Sequence, residues 1–127
     1  MEAAGLARKV EFTSERVILL TRLRQLCPDA RIGLFVRSYP DWMSLGLGHE
    51  VTKSDVALAN VTVAHCSLPL LTPAFVDDLR SNGVDVQASD CHVESELRNA
   101  YSLGVDSLST DDLPLALSIR KELDRST

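Results

Sequence analysis

The chain has 127 residues, of which 45% are hydrophobic and 24% charged, and its formal net charge is −5 at pH 7. This composition is typical of a globular domain with one core, and the negative charge disfavours nucleic acid as the main partner. No apolar run reaches the ~18 residues of a membrane helix, the start has no secretory signal, and three distant cysteines do not suggest a disulfide framework. We therefore expect a single domain over residues 1–127, located in the cytoplasm.

Five β-rich runs alternate with helical patterns along the chain. The predicted strands are residues 9–14, 31–37, 60–64, 84–88 and 107–112, after residues 1–8, which look like the tail of a helix. Helices are predicted after Ser14 as an N-cap, from Thr72 with its following proline, over residues 91–103, and from about Pro114. Strands that alternate with helices indicate an α/β fold with a parallel sheet.

The segment between the second and third strands is the least regular. Residues 38–55 contain Pro40, two glycines and the lone Trp42, which predicts a loop with one helical turn. A short helix is predicted next, around residues 53–58. The LGLG run does not match a dinucleotide-binding fingerprint, because it follows a loop and lacks the third glycine.

Polar residues follow every predicted strand. Ligands of parallel α/β folds bind at the carboxyl ends of the strands, so these residues would gather on one rim. The rim suits a phosphate or polyol ligand, because hydroxyls and amides donate hydrogen bonds and an arginine adds charge. The alternative is that the residues only cap the following helices. The candidate residues are Ser14, Arg37, His65, Ser89, Asp90, Thr110 and Asp111.

Two adjacent His/Cys pairs suggest other chemistry. His65 with Cys66 and Cys91 with His92 are possible zinc ligands, but they lack the CxxC or HxxxH spacing of a zinc site. Cys66 is also a possible nucleophile with His65 as its partner. Adjacent strand residues point to opposite faces, however, so the two side chains cannot easily meet. No catalytic residue and no metal ligand is therefore assigned in this chain.

The C-terminal units carry a family likeness. Residues 72–114 contain Gly83 before the fourth strand, then Gly104-Val105-Asp106, Thr110-Asp111 and Pro114. This order resembles the last third of glycerophosphodiester phosphodiesterases, in which a Gly-Val-Asp-Gly-Ile-Ile-Thr-Asp strand is followed closely by proline. Upstream, residues 10–36 look like the family's Ser-Phe-Asp segment with its helix, Pro-Asp and next strand. The resemblance implies strands four to eight of an eight-stranded (β/α) TIM barrel, here an arc of about five parallel strands.

The sequence also departs from the family. The Trp-Thr-Val-Asn strand end becomes Gln87-Ala88-Ser89-Asp90, and no predicted strand carries the His-Arg-Gly, Glu-x-Asp, second-histidine or Glu-Ile-Lys motif. The resemblance implies that full-length relatives hydrolyse glycerophosphodiesters with a divalent metal, Mg or Ca. No cofactor is expected in this chain, and we expect it to be inactive alone.

Three functions are consistent with the sequence. The first is the C-terminal part of a phosphodiesterase-like barrel from lipid metabolism. The second is a non-catalytic scaffold or oligomerisation module, whose open edges and uncovered apolar surface would be buried by self-association or by a partner supplying the missing strands. The third is an open-sheet domain that binds a phosphorylated small molecule. Strand order separates a barrel arc from a doubly wound sheet, in which the order reverses.

Overall fold

The computed structural model describes residues 10–125, so the predicted helix tail over residues 1–8 lies outside the described residues. In this range strands and helices alternate, as the sequence predicts. The elements are β1 (Glu11–Ser14), α1 (Val17–Leu26), β2 (Arg31–Val36), α2 (Leu45–Ala59), β3 (Val63–Ser67), α3 (Pro73–Ser81), β4 (Asp85–Ser89), α4 (Glu94–Leu103), β5 (Ser107–Leu108) and α5 (Leu113–Arg125). A short 3-10 turn, Leu68–Leu70, follows β3.

The strands form one parallel sheet in the order β1-β2-β3-β4-β5. Each strand therefore lies beside its neighbour in sequence, without the reversal that defines a doubly wound sheet. The structure confirms the predicted arc of a (β/α) barrel and rules out the doubly wound alternative. The sheet is open, so β1 and β5 each have one edge that no described strand pairs with.

The hydrophobic core lies between the sheet and the helices. Alternate strand residues point toward the helices, and these positions are apolar and buried, as in Ile32, Leu34, Cys66, Val86 and Ala88. Each helix contributes large side chains from its inner face, among them Leu20, Phe75, Leu97 and Ile119. This single layer of core is complete without any residue from the opposite face of the sheet.

Local signals set several element ends as predicted. Thr72 Oγ1 accepts the Phe75 N–H at 3.2 Å at the start of α3, and Gly83 has a φ of +78° after that helix. Ser14 is not the N-cap of α1, however. Its Oγ accepts the Arg16 N–H at 3.0 Å, which closes a turn one step before the helix, and Arg16 occupies the cap position.

The predicted loop between β2 and β3 is wrong, because most of it is the 15-residue helix α2. Ser44 caps this helix by accepting the Leu47 N–H at 3.2 Å. Gly48 allows the Tyr39 ring to lie against the helix, since a Cβ there would be 2.3 Å from ring carbons. The Tyr39 hydroxyl lies 2.8 Å from Thr52 Oγ1 one turn further along. Tertiary packing thus holds a helix that its glycines disfavour.

Three other predicted bounds also change. β3 begins at Val63 rather than residue 60, because Asn60 takes a φ of +50° and ends α2. β5 spans two residues, since the chain after Leu108 turns, with Thr110 Oγ1 accepting the Asp112 N–H at 3.0 Å. α4 begins at Glu94 rather than residue 91, because the Glu96 carboxylate accepts the N–H groups that precede the helix. Within residues 10–125 no helix is long and apolar enough to cross a membrane.

Candidate ligand-binding site

The face of the sheet that points away from the helices, here called the concave face, is polar. Its side chains come from alternate positions of successive strands and surround a cavity of about 510 Å³. A closed eight-stranded barrel fills this space with layers of Val, Ile and Leu. Here the lining residues are Glu11, Thr13, Phe35, Arg37, His65, Ser67, Gln87, Ser89, Asp90 and Ser109.

His65 and Glu11 form the most buried contact of this face. His65 Nε2 lies 2.9 Å from Glu11 Oε2, and only 11% of the histidine side chain is exposed. The imidazole reaches from β3 across β2 to β1 because residue 33 is a glycine. A Cβ at Gly33 would be 2.8 Å from His65 Nε2. The Phe35 ring lies beside the imidazole, with a centroid distance of 4.9 Å.

Arg37 places a positive charge at the mouth of the cavity. Its Nε lies 2.8 Å from Glu15 Oε1, and 74% of its side chain is exposed. Its guanidinium carbon is 5.8 Å from the centroid of the Phe35 ring. An exposed ion pair of this kind contributes about 0–1 kcal/mol, so the guanidinium can exchange Glu15 for a ligand anion at small cost.

The structure brings four of the seven predicted rim residues together. Arg37, His65, Ser89 and Asp90 line the cavity. Asp90 takes a left-handed φ of +62°, which aspartate tolerates better than most residues, and its N–H donates to Ser109 Oγ at 2.8 Å.

The other three predicted residues do not line the cavity. Ser14 and Thr110 accept backbone N–H groups two residues further along the chain. The carboxylate of Asp111 lies 3.0 Å from His92 Nδ1, outside the cavity. For Ser14 and Thr110, the structure therefore places the hydroxyls in local turns rather than in the cavity.

Sequence reasoning missed Glu11 and Gln87, because it considered the residues at the ends of the strands rather than those within them. The signal was present as alternation. Glu11 and Thr13 flank Phe12, and Gln87 lies between buried Val86 and Ala88. Alternate polar positions in two strands of one sheet indicate a polar sheet face.

The cysteines do not contribute to this site. Cys66 points into the core, on the side of β3 opposite His65, which agrees with the predicted alternation. Burial raises the pKa of the Cys66 thiol to about 12, and burial is also the main cause that raises the pKa of Cys91 to about 11. Both thiols are therefore protonated and unreactive near neutral pH.

The described residues do not fit a divalent metal. Between residues 10 and 125 no three His, Cys, Asp or Glu side chains come close enough together to hold an ion. Glu11 and His65 are the nearest approach to a ligand set on the concave face, and they are hydrogen-bonded to each other. A Mg²⁺ or Ca²⁺ site needs several converging oxygen ligands, which this pair does not provide.

No protein-family model matches the chain, and no curated protein matches it either. Solved structures do match. A protein from Silicibacter pomeroyi DSS-3 assigned as a glycerophosphoryl diester phosphodiesterase has a TM-score of 0.74 at 21% identity, over 90% of this chain and 38% of its own. A glycerophosphodiester phosphodiesterase from Parabacteroides distasonis has a TM-score of 0.70 at 17% identity, over 99% and 48%.

A third similar structure is a phosphodiesterase from Oleispira antarctica in complex with the product sn-glycerol-3-phosphate. Its TM-score is 0.65 at 19% identity, over 90% of this chain and 41% of its own. The chain therefore spans less than half the length of these relatives. Together with the sequential order of its parallel strands, the matches show that the chain has the fold of a partial glycerophosphodiester phosphodiesterase barrel.

Proposed function

We propose that the chain is a glycerophosphodiester phosphodiesterase-like domain that binds a phosphate-bearing glycerol compound on its concave face and is not catalytic alone. The observation that carries the proposal is the polar lining of the concave face, where a closed barrel has an apolar interior. Polar side chains that converge on one cavity are typical of a small-molecule site.

The charges of the cavity favour a ligand with two chemically different ends. Arg37 at the mouth is the cationic side chain of the lining and supplies a fork of N–H donors for phosphate oxygens. The hydroxyls of Ser67, Ser89 and Ser109 add neutral donors. Glu11 and Asp90 are acceptors for the hydroxyl hydrogens of a polyol. A glycerol phosphate has both ends, and the Oleispira antarctica structure contains such a ligand.

The proposal that the chain is inactive alone has separate support. The family's His-Arg-Gly and Glu-Ile-Lys motifs do not occur in the sequence, and the Glu-x-Asp run Glu122-Leu123-Asp124 lies in helix α5 rather than on a strand. Residues 10–125 also bring together no set of metal ligands. Purified chain incubated with glycerophosphocholine and Mg²⁺ or Ca²⁺ should release no glycerol 3-phosphate above a blank. Release that a chelator abolishes would contradict this part of the proposal.

Ligand binding is tested by titrating the chain with sn-glycerol 3-phosphate, followed by calorimetry or amide chemical shifts. We expect saturable binding that Arg37→Gln weakens about 10-fold or more, since a charged hydrogen bond contributes about 1.5–3 kcal/mol. Lys121→Gln is the matched control, because it removes one exposed positive charge on α5, outside the cavity. Equal affinities of the two variants, or shifts confined to residues outside the concave face, would refute the site.

Two further elements of this function are also proposals. The edges of β1 and β5 that no described strand pairs with support the completion of the barrel by self-association or by strands from a partner. The unpaired cysteines Cys27, Cys66 and Cys91 support a reducing compartment, for which the cytoplasm is the simplest candidate.

A further inference from the structure

A second cavity lies where β2 ends, between the end of this strand and helix α2, and is here called the α2 cavity. Its volume is about 290 Å³. An apolar cavity of about 150 Å³ binds benzene, so the α2 cavity has room for a small organic molecule. Tyr39, Met43 and Val51 contribute apolar surface to the lining, and Glu15, Arg37 and Asp55 contribute charged groups.

The walls of the α2 cavity are held in place by packing on α2. The Tyr39 ring occupies the space beside Gly48, and the Tyr39 hydroxyl lies 2.8 Å from Thr52 Oγ1. Val51 and Asp55 are four residues apart on α2, so they lie on the same side of the helix. The Asp55 carboxylate therefore lies beside an apolar surface whose position is set before any ligand binds.

The Asp55 carboxylate has no counter-charge in the described part of the chain. Between residues 10 and 125 no hydrogen bond or ion pair joins it to another group. Burial raises the pKa of Asp55, which shows that this carboxylate is partly removed from water without a compensating partner. Lys53 does not compensate it, because the lysine ammonium pairs with Glu50 at 2.9 Å and with Asp78 at 3.3 Å.

The charged groups around the α2 cavity leave one negative charge unbalanced. Arg37 Nε lies 2.8 Å from Glu15 Oε1, and these side chains are 74% and 56% exposed, so the pair borders the opening of the cavity. Asp55 is the remaining charged residue of the lining. A ligand with one positive charge would balance it, and an ammonium group supplies three N–H donors for the carboxylate oxygens. The attraction is stronger than in bulk water, because the effective dielectric constant beside a partly buried group is lower.

We propose that the α2 cavity binds a small molecule with an alkylammonium group, whose ammonium contacts Asp55 and whose alkyl part packs against Tyr39 and Val51. The apolar part of the lining favours such an organic cation over a metal ion, and no three metal-ligating side chains converge among the described residues. This site is distinct from the one proposed for a glycerol phosphate and does not depend on it, although Phe35 and Arg37 line both cavities.

A pair of ligands of equal size tests the proposal on the parent chain. Amide chemical shifts are followed while butylammonium is added from about 0.1 to 20 mM in an amine-free buffer. We expect saturable shifts at residues 38–43 and 51–55, with a Kd on the order of 1 mM for so small a ligand. 1-Butanol has the same number of non-hydrogen atoms and no charge, so it should bind about 10-fold more weakly or not at all.

A pair of variants tests the role of Asp55. Asp55→Asn should weaken the binding of butylammonium about 10-fold or more, because it removes the charge that the ammonium contacts. Asp77→Asn is the matched control, since it removes one exposed negative charge on α3, outside the α2 cavity, and should bind butylammonium like the parent. The amide spectra of both variants also show whether they fold, and the comparison of the two ligands on the parent chain holds without either variant.

Four outcomes overturn the proposal. They are no saturable shift across this range, equal binding of butylammonium and 1-butanol, shifts confined to residues outside the α2 cavity, and equal affinities of Asp55→Asn and Asp77→Asn. Tighter binding of N-acetyl-lysine amide than of butylammonium also overturns it and favours a lysine side chain of a protein partner. Asp55→Asn should still bind sn-glycerol 3-phosphate like the parent, which separates a failure of this site from a failure of the site on the concave face.

Discussion

Replacing Gly33 by alanine tests whether a glycine in the central region of the sheet is required by the His65–Glu11 contact. A Cβ at this position would lie 2.8 Å from His65 Nε2, 2.9 Å from His65 Cδ2 and 3.2 Å from Thr13 Cγ2. The imidazole must therefore move, and its 2.9 Å contact with Glu11 is lost or lengthened.

The magnitude follows from two opposing effects. Overpacking in a tight site costs about 1–3 kcal/mol. Alanine in place of glycine restricts the unfolded chain and returns about 0.4–1 kcal/mol, because Gly33 has an ordinary extended backbone. We expect Gly33→Ala to lower the free energy of unfolding by about 1–2 kcal/mol in urea titrations. Gly46→Ala is the control, since nothing lies within 4 Å of its added Cβ and alanine favours α2.

The same substitution in a His65→Ala background identifies the cause. His65→Ala removes the two atoms nearest to the new Cβ, so the cost of Gly33→Ala should fall to about zero. An equal cost in both backgrounds would refute the argument that the histidine requires this glycine. A stabilising effect of Gly33→Ala in the parent would refute it as well.

Three other changes have equally direct outcomes. In native protein at pH 8, a thiol reagent such as dithionitrobenzoate should label the partly exposed Cys27, whereas Cys66 and Cys91 should react only after unfolding. Rapid labelling of all three thiols in the native protein would contradict the burial of Cys66 and Cys91. Gly48→Ala should lower the melting temperature although it adds a better helix former, because the Tyr39 ring occupies the Cβ position; a rise like that of Gly46→Ala would contradict this packing. Burial raises the pKa of Asp55, so the folded state holds the carboxyl proton more tightly than the unfolded state does. The contribution of this carboxyl to stability therefore falls as pH rises through the folded pKa. Asp55→Asn should stabilise the protein at pH 7 and not at pH 3, and equal effects at both pH values would contradict the raised pKa.

The element order follows from the sequence because segments with strand and helix periodicity alternate, and turn or capping residues separate them. Thr72-Pro73 and Gly83 bound α3 by chemistry that acts within a few residues. α2 could not be read in the same way. Its glycines lower helix propensity, and the compensation comes from Tyr39 and Thr52, whose contact exists only after the chain has folded. Sequence patterns report such local chemistry better than packing between distant elements.

Some of the residues that line the cavity on the concave face were predicted from the sequence and others were not, again because sequence patterns do not report packing between distant elements. Arg37, His65, Ser89 and Asp90 lie where the ends of parallel strands must meet, so topology alone brings them together. Glu11 joins them through a contact across β2 that needs Gly33 to be small and His65 to take one orientation. From the sequence alone, a glutamate on an edge strand is expected to be exposed to solvent. Its partner in space is 54 residues away in sequence.

The position of the core explains how half a barrel can fold without the other half. Ile32, Leu34 and Val86 are covered by the chain's own helices, and the concave face contributes polar side chains rather than a second apolar layer. A closed barrel interior shared by two halves would leave each half with an uncovered apolar surface. Here the exposed apolar side chains are spread over the helices and loops, as in Ile18, Trp42 and Leu58. Stability therefore depends on the residues between the sheet and the helices, so Ile18→Asp on the exposed side of α1 should leave the free energy of unfolding unchanged to within about 0.5 kcal/mol.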